Sequence, residues 1–133
     1  MNRMLILLNR LPVYFMSGVV VLAITALTLM PGDSVPDVPM FANADKVVHA
    51  VMFGVLAVTI LWDASRRSHN VSMCRYAISV VVASAFGCII EVLQKYMGMG
   101  RSGDVADWLA DVAGAVVLPL LLWRVVKYLV RAR

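Results

Sequence analysis

Four apolar stretches, separated by short polar segments, dominate the pattern of this chain. They cover about residues 11–30, 46–64, 76–97 and 105–128. A helix that crosses a bilayer needs roughly 20 predominantly apolar residues, and each stretch comes close to that length. The pattern therefore predicts an all-α protein, a bundle of four transmembrane helices in which residues 1–133 form a single domain.

The segments between the stretches carry the usual signals for turns. The segment from Pro31 to Ala44 contains three prolines and predicts a loop, and the glycine-rich run 98–103 predicts a tight turn. Asp104 follows that turn and is expected to cap the fourth helix. Arg3 and Arg10 flank a short apolar run at the N-terminus, which we expect to be retained as an uncleaved signal anchor.

Composition agrees with a membrane protein. Of 133 residues, 62% are hydrophobic, and the mean hydropathy is +0.85; soluble domains are about 45–50% apolar. The net charge of +4 comes from basic residues scattered at the predicted helix ends, so it does not indicate a nucleic-acid partner. Cys74 and Cys88 lack the paired spacing of a metal site or a disulfide framework.

The charged residues divide sharply between the two predicted sides of the membrane. One side holds a single acid, Asp63, and nine basic residues: Arg3, Arg10, Arg66, Arg67, Arg75, Arg124, Lys127, Arg131 and Arg133. The other side holds seven acids and three basic residues: Lys46, Lys95 and Arg101. Because basic residues accumulate on the cytoplasmic side, we expect both termini in the cytoplasm and two extracytoplasmic hairpin loops.

A set of polar residues gathers at the extracytoplasmic ends of three predicted helices. Its members are Asp45, Lys46, His49, Glu91, Gln94, Arg101, Asp104, Asp107 and Asp111. Residues three or four apart share a helix face, so Asp104, Asp107 and Asp111 form one stripe, which Gly114 extends. Placing an ionisable group inside a membrane costs about 2.5–3.5 kcal/mol, so such groups usually face one another or a wet cavity. The set predicts a polar pocket that opens outward.

The residue types of this set indicate a ligand with a polar or anionic headgroup. Lys46, Arg101 and protonated His49 are suited to contact phosphate or carboxylate. The carboxylates would orient these cations or exchange protons, and Gln94 would offer neutral hydrogen bonds. The expected partners are membrane lipids or a lipid-linked envelope precursor, without a cofactor.

Three other functions are open at this stage. His49, Glu91 and Asp107 suit acid–base catalysis on a lipid-linked substrate, although no nucleophile stands out beyond Ser102 in the glycine-rich turn. Buried acids also occur in proton relays, but the inner half of each span lacks polar stepping-stones. A network that only holds the bundle together is the remaining alternative. We expect no metal, because the carboxylates have no diagnostic spacing.

These residues also follow a family pattern. In order they are Asp45-Lys46-Val47-Val48-His49 with Phe53, Glu91-Val92-Leu93-Gln94, Arg101 with Asp104 and Asp107, and a small-residue segment at Gly114. This arrangement resembles the VanZ-like family of small, multi-span bacterial membrane proteins. The resemblance implies a link to lowered susceptibility to teicoplanin-type antibiotics, although most members have no assigned activity. The family commonly has Asn at the position of Asp111, so the carboxylate here changes the charge of the site.

The charge asymmetry leads to a topological prediction. We expect a fluorescent-protein fusion at either terminus to fluoresce in the cytoplasm, and an alkaline phosphatase fusion in either predicted hairpin loop to be active. Activity of a phosphatase fused at the C-terminus would contradict the orientation and, with it, an outward-facing site.

Overall fold

The computed structural model describes residues 7, 10–30, 43–98 and 104–131 of the chain. Within these ranges it contains five α-helices and no strand. The helices are α1 (Phe15–Leu29), α2 (Ala44–Arg66), α3 (Met73–Met97), α4 (Val105–Leu121) and α5 (Trp123–Arg131). The predicted all-α class is therefore confirmed for the described part of the chain.

The helices differ in their capacity to cross a membrane. α2 and α3 are each long and apolar enough to span a bilayer, and α4 with α5 qualifies as a third span if the bent pair is counted as one. α1 is apolar but has only 15 residues. The described helices thus supply two or three candidate spans.

The predicted fourth span, 105–128, is wrong in its continuity. α4 ends at Leu121 and α5 begins at Trp123, with a bend of 58° between them. Pro119 lies in the last turn of α4 and has no N–H to donate to the preceding turn, which weakens the helix there. Beyond the bend, Val126 and Val130 of α5 are buried in an apolar cluster, so packing favours the new direction.

α2 is the central helix of the bundle and contacts all four others. Its buried residues Phe53, Leu56, Ala57 and Ile60 form the main apolar core, joined by Ile24, Ala83, Ile90 and Ala115 from the other helices. Burial of such side chains contributes about 1.5–3 kcal/mol for each large one, which fixes the helices around α2. The buried ionisable residues of α2, His49, Asp63 and Arg66, therefore lie against neighbouring segments of the bundle.

The closest approach in the bundle is between α2 and α4. A Cβ added at Gly114 would overlap the backbone carbonyl of Ala50, and one added at Gly54 would lie 2.8 Å from the Cβ of Leu118. Small residues permit such backbone contact between helices. Gly114, which extends the acidic stripe of α4, lets α4 approach α2 this closely.

A buried polar cluster ties the start of α1 to the end of α2. The carboxylate of Asp63 accepts hydrogen bonds from the backbone N–H and the hydroxyl of Ser17, at 3.1 and 2.7 Å. The guanidinium of Arg66 lies 3.3 Å from Asp63 and donates to the carbonyls of Leu11 and Pro12. Asp63 thus satisfies a free N–H in the first turn of α1. Asp63, counted above only as the single acid of the basic side, is fully buried in α2.

The glycine contact generates a stability prediction. Gly114→Ala should destabilise the protein by about 1–3 kcal/mol, because the added methyl forces α4 away from α2. The matched control is Gly18→Ala in α1, where the added Cβ meets no atom within 4 Å. Thermal unfolding in detergent should show a lowered Tm for Gly114→Ala only. Equal Tm values for the two variants would contradict the contact.

Candidate functional site

Three helix ends meet at the end of the bundle opposite the Asp63 cluster. Lys46 and His49 lie in the first turns of α2, Glu91 in the last turns of α3, and Asp107 and Asp111 in the first turns of α4. Their contacts, given below, join all three helices. The structure therefore brings together these five and, beside Lys46, Asp45 and Asp104, which makes seven of the nine residues that the sequence indicated.

Lys46 lies at the rim of this group among three carboxylates. Its Nζ donates a hydrogen bond of 3.0 Å to Asp107 and lies 3.5 Å from Asp45 and 4.0 Å from Asp104. The lysine side chain is one-third exposed. Ion pairs this accessible to solvent contribute little to stability, typically about 0–1 kcal/mol, so Lys46 is available to other partners at low energetic cost.

His49 lies deeper, between two carboxylates from different helices. Its Nδ1 is 2.9 Å from Asp111 Oδ1 and 3.8 Å from Glu91 Oε1. When Asp111 is ionised, the imidazole Nδ1–H donates to it. The ring also stacks on fully buried Phe53, with ring centroids 6.4 Å apart, which fixes its plane. The partner of His49 is thus Asp111, while Asp107 pairs with Lys46.

Glu91 joins α3 to the start of α4. Its Oε2 accepts a hydrogen bond of 3.0 Å from the backbone N–H of Asp104. The Asp104 side chain in turn accepts from the backbone N–H of Ala106 at 2.9 Å, so the predicted helix cap is confirmed. One oxygen of Glu91 is therefore held by the helix terminus while the other faces His49.

Asp111 depends on a glycine that the sequence analysis did not single out. A Cβ on Gly87 of α3 would lie 2.7 Å from Asp111 Oδ2, closer than real side-chain contacts allow. Gly87 therefore leaves the space that the carboxylate occupies. The pair is separated by 24 residues, so no sequence spacing could reveal it.

The two remaining residues of the predicted set are Gln94 and Arg101. The Gln94 side chain donates a hydrogen bond of 2.8 Å to the carbonyl of Thr28, so it links α3 to α1. Arg101 and Ser102 lie outside the described residues.

Exposure falls steadily from the rim of the group inward. The exposed fraction of the side chain is 60% for Asp45, 33% for Lys46, 11% for His49 and zero for Asp111. An open groove of about 400 Å³ lies elsewhere, along α5, and is lined by Arg124, Lys127, Tyr128 and Arg131. This end of the bundle, called the polar end below, thus carries ionisable groups from its exposed rim to its buried interior.

The fold and this end define an all-helical membrane protein with a buried histidine–carboxylate cluster. The model of one protein family, VanZ/LLP1, matches residues 4–127 of the chain. The chain belongs to this family, as the resemblance of its motifs predicted. No curated protein and no solved structure matches it.

The geometry of His49 leads to a spectroscopic prediction. Nδ1 should carry a proton, because Asp111 Oδ1 lies within hydrogen-bond distance and accepts it. Nitrogen NMR of histidine-labelled protein can report this, since the chain has only one other histidine, the exposed His69. Asp111→Asn should shift the His49 signals and leave those of His69 in place. An unprotonated Nδ1 in chelator-treated wild-type protein would contradict the pairing.

Proposed function

We propose that this protein binds the polar or anionic headgroup of a lipid-linked envelope precursor where α2, α3 and α4 meet. The observation that carries the proposal is the gradient of ionisable groups, from the exposed Asp45 to the fully buried Asp111. Burying ionisable groups among apolar helices is costly, and such groups within membrane helices usually mark a site that binds or moves a ligand.

The chemistry of the rim suits the parts of such a headgroup. Lys46, in a weak and partly exposed ion pair, can exchange Asp107 for a phosphate oxygen at little cost. Arg101, assigned from the sequence, would add a bidentate phosphate contact. The carboxylates of Asp45 and Asp104, both more than half exposed, would accept hydrogen bonds from hydroxyl or amine groups of the same headgroup.

The apolar surface of the helices supports a ligand that has a lipid tail. Large apolar side chains of α2 and α3 are exposed in the chain by itself, among them Val47, Val51, Val81 and Ile89. Exposed apolar surface on a helix of this length is suited to contact acyl chains. A lipid-linked headgroup would reach the polar end from the bilayer while its tail lies against this surface.

The proposal includes a topology. We propose four membrane crossings with α1 as the first and the α4–α5 pair as the last, which places the polar end on the extracytoplasmic side of a bacterial inner membrane. The excess of basic residues at the opposite end supports this orientation. The ligand would then be a headgroup of the outer leaflet.

The test is the identity of lipids that copurify with the protein. We expect mass spectrometry of the wild-type protein, extracted in mild detergent, to show an enriched lipid-linked phosphate species. Lys46→Ala should lose it, because the rim cation is gone. Arg67→Ala removes one positive charge from the exposed turn after α2, at the other end, and should retain the species.

Two results would overturn the proposal. One is a wild-type lipid profile that matches the bulk membrane. The other is equal retention of the enriched lipid by Lys46→Ala and Arg67→Ala. Size-exclusion profiles of the variants distinguish loss of ligand from loss of folding.

A second candidate function is acid–base catalysis on the same class of lipid. The pair of His49 and Asp111, 2.9 Å apart, favours it, because a carboxylate at Nδ1 orients the imidazole and stabilises its charged form. Here Asp111 would orient His49, and Glu91 would exchange protons beside it. Turnover of a labelled lipid phosphate by the wild-type protein, abolished in His49→Ala, would favour catalysis over binding alone.

A further inference from the structure

We propose that His49, Glu91 and Asp111, which three different helices bring to one point, bind a divalent transition-metal ion of the Zn²⁺ or Mn²⁺ class. No pattern in the sequence predicts a metal here, because the three residues are distant along the chain and follow no ligand spacing. Cation binding does not itself depend on the proposed function.

The geometry of the three ligand atoms fits such an ion. One nitrogen or oxygen from each residue lies within 4.8 Å of the others, and the closest pair, His49 Nδ1 and Asp111 Oδ1, is 2.9 Å apart. Metal–ligand bonds to His and carboxylate are about 2.0–2.2 Å, so ligand atoms around one ion lie about 3–4 Å apart. A small rotation of Glu91, now 3.8 Å from His49, completes the set.

A second, independent observation is that two carboxylate oxygens of the set are buried without a hydrogen-bond partner in the described part of the chain. They are Glu91 Oε1 and Asp111 Oδ2. The side chains of these residues are only 9% and 0% exposed, and Glu91 Oε1 points toward the histidine. A buried acceptor that lacks a partner costs about 1–3 kcal/mol, or more when it is charged. A cation at this point satisfies both carboxylates.

The charge around the three residues also favours a cation. Asp45, Asp104 and Asp107 surround Lys46 at the rim, so the described residues in contact here are five carboxylates, one lysine and one histidine, while Lys95 of the same end is exposed. In a site of low dielectric, this excess of negative charge attracts a divalent ion and repels a bare phosphate.

The bound ion would explain how an acidic site holds an anionic headgroup, a step that rests on the proposed function. Three protein ligands leave a coordination position open on a Zn²⁺ ion. A phosphate oxygen of the headgroup can occupy it, with Lys46 at the rim as a second contact. The metal would thus supply the positive charge that the described side chains lack.

The experiment measures metal binding by the purified, chelator-treated protein in detergent, without added lipid. Titration calorimetry with ZnCl₂ and MnCl₂ should give one ion of at least one of the two metals per chain. Glu91→Gln should weaken binding at least about tenfold, because a neutral amide is a poorer ligand than a carboxylate. Asp111→Asn is the second variant, in case Glu91→Gln loses its fold when its contact with the start of α4 changes.

A matched control defines the site. His69→Gln removes the other histidine of the chain and should bind the ion as the wild type does. In nitrogen NMR, Zn²⁺ should displace the Nδ1 proton of His49 or shift its Nε2, with the His69 signals unchanged. The spectrum tests the site in the wild-type protein, whatever the stability of the variants.

The inference would be overturned if neither metal bound at one ion per chain. It would also be overturned if wild type, Glu91→Gln and Asp111→Asn bound the ion equally. Loss of binding in His69→Gln would assign the metal to an adventitious surface histidine and would also overturn it. The outcome is separable from the headgroup proposal. If the protein binds metal but enriches no lipid, only the proposed headgroup binding is contradicted. If it binds no metal and still enriches the lipid after chelation, only the proposed metal site is contradicted.

Discussion

A charge buried among apolar helices is tolerated only when another group neutralises it or hydrogen-bonds to it. This constraint explains both ends of the bundle. At one end, Asp63 and Arg66 neutralise each other and supply hydrogen-bond partners to the start of α1. At the other end, His49 and Asp111 approach within 2.9 Å, but two carboxylate oxygens are left over. In the first cluster one acid is matched by one base 3.3 Å away, whereas in the second two carboxylates share a single histidine and have capacity for a cation.

The distance between His49 and Asp111 follows from the backbone. α2 and α4 touch at Ala50 and Gly114, one position after His49 and three after Asp111. Because only a hydrogen atom at Gly114 separates the helices there, the neighbouring side chains of His49 and Asp111 are brought together on the side of the polar end. Gly87 on α3 has no side chain and so leaves room for the carboxylate of Asp111. The site is thus a consequence of helix packing, with the core around Phe53 holding the three helices in place.

Much of this organisation could be predicted from the amino-acid pattern, and particular residues show where prediction stopped. Asp104 was recognised as a helix cap because capping is local, and Gly114 as a contact because it continues a helical stripe. The charge count does not reveal that Asp63 is buried, although its spacing of three from Arg66 at the end of an apolar helix indicates an ion pair on one helix face. The bend after Leu121 had a signal too, in Pro119 and the change from apolar to basic residues.

The helical class, the family and the end of the molecule that holds most ionisable residues could all be predicted from the amino-acid pattern. Helix formation, hydrophobic length and charge placement depend on neighbours along the chain. The hydrogen-bond partners across helices could not be predicted in this way: Asp111 with His49, Asp107 with Lys46, Gln94 with the carbonyl of Thr28. Partners on different helices are chosen by how closely and at what rotation the helices pack. That depends on the whole core rather than on any local spacing.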